Sequence, residues 1–168
     1  MLKAIGSGGG SLVRVRTWRA TPEETDEVAA LLSEFRDHMG HDSPADESIR
    51  ASLGTLIGRE DTEYWLAASD DGARAAGVCQ LRFRHSVWTG VDDCWLEDLF
   101  VRASARGTGL GRALVVAAKD RARERGCARI ELDTEEGNRA AVALYESLGF
   151  SAASKGDSRG LFMGARIG

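Results

Sequence analysis

What this chain has little of narrows it first. Its three cysteines, Cys79, Cys94 and Cys127, are an odd number with no Cys-x-x-Cys spacing, which excludes a disulfide framework and a zinc-cysteine cluster. All three stand in apolar, strand-like or strand-leading contexts and read as reduced core thiols of a cytoplasmic protein. Cys94 and Cys127 also lack a histidine at useful spacing, which counts against an acyl-carrying thiol. The three histidines, His38, His41 and His85, show no zinc-ligand spacing to the cysteines, so no metal is expected. No apolar run approaches the ~20 residues that span a bilayer. The opening MLKAIGSGGGS is too poor in apolar residues for a signal peptide, and residues 1–11 are set aside as a flexible Gly/Ser segment. No internal repeat and no further low-complexity tract is present.

What remains is an ordinary globular composition, 43% hydrophobic and 29% charged over 168 residues, read as one domain over 12–168. The net charge of −4 conceals a split. Residues 21–70 carry thirteen acidic and three basic side chains, whereas residues 102–129 carry eight basic and two acidic. Two solvated helical faces of opposite sign would explain this. So would a basic side for an anionic cofactor and an acidic side for a cationic substrate.

Alternation over LVRVRTW (12–18) predicts a first strand. Thr21-Pro22-Glu23-Glu24 predicts a helix start with a capping box, followed by a buried stripe of Val28, Leu31, Leu32, Phe35 and Met39 and a stop at Gly40. Ser43-Pro44 opens a second helix through Ile49, Leu53, Leu56 and Ile57. Residues 63–69 and 75–85 form an antiparallel hairpin about Asp70-Asp71-Gly72. A turn at 87–90 leads into a fourth strand from Asp92. A helix from Gly109 buries Leu110, Leu114, Ala117 or Ala118, and Ala122, and Gly126 ends it. Residues 127–133 make a fifth strand, parallel to the fourth because a helix crosses between them. A shorter helix, 138–148, carries Ala141, Leu144, Tyr145 and Leu148 on one face, and 150–154 and 160–166 are two last strands. The fold class is mixed α/β: a mostly antiparallel sheet of about seven strands with a central parallel pair, flanked by about four helices.

The informative stretch is WLEDLFVRASARGTGLG, from Trp95 to Gly111. Two carboxylates, Glu97 and Asp98, interrupt an apolar strand, where an acid is costly unless hydrogen-bonded or functional. The glycine-spaced loop then opens a helix, and backbone amides at such a start bind anions. The loop is not a dinucleotide fingerprint, because it follows the fourth strand of a mixed sheet, not the first strand of a parallel unit.

Arg106-x-x-Gly109-x-Gly111, LEDLFV and NRAAVALYESLGF (138–150) together resemble the GNAT N-acetyltransferases, over essentially the whole domain. Within that group LEDxFV is similar to the diamine and thialysine acetyltransferases. The resemblance implies acetyl-CoA as co-substrate. The backbone of Leu99, Phe100 and Val101 would pair with its pantetheine arm, and the amides of Gly107, Thr108, Gly109, Leu110, Gly111 and Arg112 would hold the pyrophosphate, with charge from Arg106 and Arg112. Asn138 and Ala141 would meet the arm, Asn138 also fitting as a helix N-cap. A backbone N–H near Phe100 would polarise the thioester carbonyl.

Attack by an alkylamine, whose pKa is near the ~10.4 of lysine, needs a base or relay at neutral pH. Glu97 is the expected base and Asp98 its alternative, since alternation sends the two to opposite faces. Tyr145 would protonate the leaving thiolate; its other reading is an amphipathic core tyrosine. The expected function is acetyl transfer to a primary amine of a small cationic molecule (polyamine, amino acid or aminoglycoside-like) in a ternary complex. The acidic first half, with Asp92, Asp93, Glu97, Glu135 and Glu136, supports the cationic acceptor. Alternatives are a protein lysine or N-terminal acetyltransferase, and a non-catalytic acetyl-CoA-binding module. Neither nucleic acid nor a membrane is an expected partner, and the family resemblance with the exposed late strand edges allows a homodimer.

Overall fold

The computed structural model describes residues 14–69, 73–152, 154–155, 158–159 and 165. The backbone divides into two compact units, Met1–Asp133 and Thr134–Gly168.

The first unit is built on a sheet of order β1-β2-β3-β4-β5. Its strands are β1 (Arg16–Arg19), β2 (Thr62–Ala68), β3 (Gly77–His85), β4 (Asp92–Val101) and β5 (Ile130–Glu131). The first four pair antiparallel in sequence, and β5 joins β4 in parallel through the helical crossover α3 (Leu110–Glu124). The main sheet thus has five strands among the described residues, not seven. β6 (Ser154–Lys155) and β7 (Ser158–Arg159) form a separate two-residue ladder in the second unit. The turn at 70–72, residues 1–13 and most of 160–168 lie outside the described residues.

Helix α1 (Thr25–His38) starts as the sequence predicts. A 3₁₀ turn over Pro22–Glu24 precedes it, and the capping box is formed: the Thr21 amide donates to Glu24 Oε2 at 2.9 Å. Gly40, at φ 74°, follows the last turn. α2 (Asp46–Leu56) packs beside α1, and both cover one sheet face. There Val28, Leu31 and Leu53 are buried with Tyr64, Leu66, Val78 and Phe100, and Phe35 stacks on Phe100 with ring centroids 5.4 Å apart. On α3 the apolar residues recur at helical spacing: Leu110, Leu114, Val115, Ala118 and Ala122 are buried. This helix contacts β2, β3 and β4, and the Leu114 side chain lies 3.2 Å from where a Cβ on Gly77 would stand. Glycine there lets the helix approach the sheet closely.

The predicted fifth strand, 127–133, shrinks to Ile130–Glu131. Its ladder joins only Cys94 to Ile130 and Trp95 to Glu131. Alternation cannot reveal this, because a strand's length depends on how far its neighbour stays alongside. In the second unit, α4 (Arg139–Ser147) starts on Asn138, whose Oδ1 accepts from the Ala141 amide at 3.2 Å.

Candidate active site

Three side chains stand side by side across the sheet: Tyr64 on β2, Gln80 on β3 and Asp98 on β4 are successive register partners. They continue the face that bears Leu66, Val78 and Phe100 beneath α1 and α2. Beside this row the β3–β4 ladder is irregular. Gln80 pairs with Asp98, but Leu81 pairs with Leu96, so Glu97 is the extra residue of a β-bulge.

The bulge overturns the alternation expected for the two acids. Gln80 Nε2 donates to Glu97 Oε2 at 2.8 Å, and Arg82 Nη1 lies 3.9 Å from the same oxygen. Gln80 and Arg82 are two apart on β3 and share the face that carries Asp98. Glu97 and Asp98 are therefore on one face, and not opposed. They differ in setting. Glu97 is exposed and held by Gln80 and Arg82. Burial, then the charges of Glu97 and Asp133, push Asp98 up to about 6. Burial, then Asp98 and Glu97, also raise the Tyr64 hydroxyl above its ordinary value.

The row forms the floor of a cavity of about 370 Å³. α1 supplies Leu32, Phe35, Arg36 and Met39 to its walls, α2 supplies Ile49, Ser52, Leu53 and Leu56, and the connecting loop supplies His41, Ser43 and Pro44. Arg36 ties the loop down, donating to the Pro44 carbonyl at 2.6 Å and to Asp46 at 2.7 Å. Sequence reasoning misses Tyr64 and Gln80. A glutamine inside the apolar run Val78–Leu81 was the available signal.

Beyond the bulge, β4 presents an unpaired edge. The Cys94 amide donates to Arg129 O, so before the bulge the even residues face β5. After it, Arg102 N donates to Ala76 O, so by alternation Phe100 faces β3 while Leu99 and Val101 face the β5 side. No strand of the first unit pairs there among the described residues. Leu99 and Val101, not Phe100, are therefore the residues with outward amides. The chain then passes a 3₁₀ turn, Ala103–Ala105, into the glycine loop. Gly107 (φ 77°) and Gly109 (φ 91°) are left-handed, a conformation that favours glycine. Gly109 is the N-cap of α3, without a side-chain cap, so the first-turn amides are directed outward at the positive end of the helix dipole. Thr108 Oγ1 donates to the Ala105 carbonyl. Arg106 turns back along β4: Nε donates to the Val101 carbonyl at 3.1 Å and Nη2 lies 3.0 Å from His38 Nε2.

Much of the predicted charge split closes on itself. Arg102 makes a forked pair with Glu34, and Arg121 with the buried Glu63, which Arg125 and Arg19 also approach. Burial raises the Glu63 carboxyl, but Arg121 and Trp65 outweigh it and hold the group below its ordinary value. Arg121 is also roughly 16 Å along the helix from Leu110, out of reach of a pyrophosphate at the glycine loop. Asp93 pairs with Arg129 at 2.8 Å, and Asp92 lies near Arg125 and His85, all at the far end of β4. Of the first-unit acids expected to attract a cation, Glu97 stands beside the row and Asp92 and Asp93 do not.

Burial raises the thiol of Cys79 and lifts that of Cys94 to about 12, away from nucleophilic use. No metal-ligating cluster and no helix long and apolar enough to cross a membrane is found among the described residues. In the second unit Tyr145 is buried, its ring edge-on to Phe150 with centroids 5.8 Å apart.

The mycothiol acetyltransferase of Thermobispora bispora is 56% identical over 155 residues, covering 83% of this chain and 46% of that protein. The thialysine N-epsilon-acetyltransferase of Sus scrofa is 36% identical over 78 residues, 46% of this chain and 45% of that protein. The chain spans under half the length of either relative. Among solved structures, an Arthrobacter sp. FB24 protein described as a putative acetyltransferase superposes with a TM-score of 0.81 at 27% identity, covering 97% of this chain and 100% of that one. The model of the acetyltransferase (GNAT) family matches residues 25–150, three quarters of the sequence, and the chain belongs to that family.

Proposed function

We propose that the protein is an acetyl-CoA-dependent N-acetyltransferase that acetylates a primary amine of a small cationic molecule by direct attack in a ternary complex. One observation carries the reading: the two acids, the outward amides of β4 and the uncapped start of α3 follow one another along a single stretch of chain, 97–112. The amides of 107–112 would bind the pyrophosphate, where glycine leaves room for close approach. Those of Leu99 and Val101 would hold the arm as an added strand, bringing the acetyl group toward Asp98. Arg112 at the helix start would add charge, and Asn138 and Ala141 of α4 would meet the arm.

Between the two carboxylates, the geometry favours Asp98 as base, directly or through water. It is the more buried, and a pKa of about 6 makes it ionised yet basic at neutral pH. Glu97, the residue favoured from sequence, would sustain that pKa by its charge and orient Gln80. Tyr145 would protonate the departing thiolate. The names of the relatives support a small amine: one is a thialysine and one a mycothiol acetyltransferase.

The test is thiol release from acetyl-CoA with a panel of primary amines. Saturable release, lowered at least tenfold by Asp98→Asn and by Tyr145→Phe, is expected. Tight CoA binding with no release for any amine or peptide would instead mark a non-catalytic binding module.

A further inference from the structure

We infer, on the reading that the cavity over Asp98 takes the acceptor, that the acceptor carries one amine on an apolar body, and is neither a diamine nor a polyhydroxylated polycation. The walls decide this. Above the polar floor of Tyr64, Gln80 and Asp98 stand Leu32, Phe35, Ile49, Leu53 and Leu56, and among the described residues that line the cavity Asp98 is the one carboxylate. The walls also carry two basic residues, Arg36 and His41. Arg36 is ion-paired with Asp37 and Asp46, so it remains charged.

An ammonium at the floor meets Asp98, with Glu97 held close by through Gln80. A second ammonium a few carbons away would lie against leucine and isoleucine, a position costly by desolvation. The nearest carboxylates on that side, Asp37 and Asp46, are already engaged by Arg36. Hydroxyl-rich rings meet the same difficulty, since the walls offer few hydrogen-bonding groups. At about 370 Å³ the space is at the small end of ordinary ligand pockets. It suits an arylalkylamine or a medium-chain alkylamine.

The experiment pairs hexylamine and phenethylamine with cadaverine and kanamycin, and measures both binding by calorimetry and thiol release from acetyl-CoA. The apolar monoamines are expected to bind at least tenfold more tightly and to show at least tenfold higher kcat/KM. Apolar binding without thiol release would sink the acetyltransferase reading while leaving the cavity assignment standing. Efficient release that favours cadaverine or kanamycin would do the reverse, and failure of the apolar amines to bind also overturns the inference. A gain-of-function variant sharpens the comparison. Met39 lines the cavity and is 52% exposed, so Met39→Glu adds an anion to its wall with little disturbance of the core. It is expected to raise kcat/KM for cadaverine relative to hexylamine at least tenfold. No change in that ratio would show that the second amine does not lie along these walls.

Discussion

On the proposed mechanism, the carboxyl of Asp98 is the side chain whose state sets the chemistry. Its pKa near 6 lies above the 3.8 of a free aspartate, so the folded protein holds that proton more tightly than the unfolded chain. Stability from this group is therefore full below pH 4, falls as pH rises to about 6, and is flat beyond. Asp98→Asn removes that fall. In urea melts it should exceed the parent by on the order of 2 kcal/mol at pH 7 and match it below pH 4, while kcat/KM drops by ~10²–10³. A mutation that stabilises and inactivates together is what a buried base implies. Glu97 acts on it through charge. Glu97→Gln removes a neighbouring anion that raises Asp98, so the ascending limb of the kcat/KM–pH profile should move to lower pH. An unmoved limb would separate the two carboxyls functionally.

Among elements, α3 and β4 show how local chemistry and neighbours divide the work. Gly109 at φ 91° caps α3 without a side chain, and Gly109→Ala puts a Cβ into the left-handed region. The expected cost is about 1–2 kcal/mol in thermal melts. A several-fold rise in the KM for acetyl-CoA should accompany it, with little change in the KM of the amine. The capping box of Thr21 and Glu24, the entry to α3 and the stripe of α1 through Phe35 were legible because each depends on residues within one or two turns. Met39, expected to be buried in that stripe, lies just past the helix and is 52% exposed. The bulge at Glu97 was not legible. It arises from how β4 meets β3, and L-E-D-L reads the same with or without it. Because the bulge was hidden, the two acids looked opposed when they share a face, and Gln80, which bridges their settings, went unnoticed. The length of β5 was hidden for the same reason.

At the scale of the whole molecule, charge contrast between segments was visible in composition, but its partners were not. The acidic first half and basic middle look like two surfaces for two ligands. They prove to be joined in part by pairs such as Glu34–Arg102 and Glu63–Arg121, so on the proposed reading the glycine loop would rely mainly on backbone amides. Glu63 is 1% exposed and its carboxyl is held below the ordinary value of 4.5, so it supports folding above that pH and loses its contribution as pH falls through the lowered value. Glu63→Gln should cost about 2–3 kcal/mol at pH 7, the low side for a broken buried pair because Arg121 and Arg125 keep partial exposure. The deficit should vanish in acid, where guanidinium melts of parent and variant converge. These pairs also bear on synthesis. Glu63 is made long before Arg121, so the nascent first half carries this carboxylate with Arg19 and Trp65 as its described partners until α3, whose opening turn is the proposed seat of the cofactor, is made.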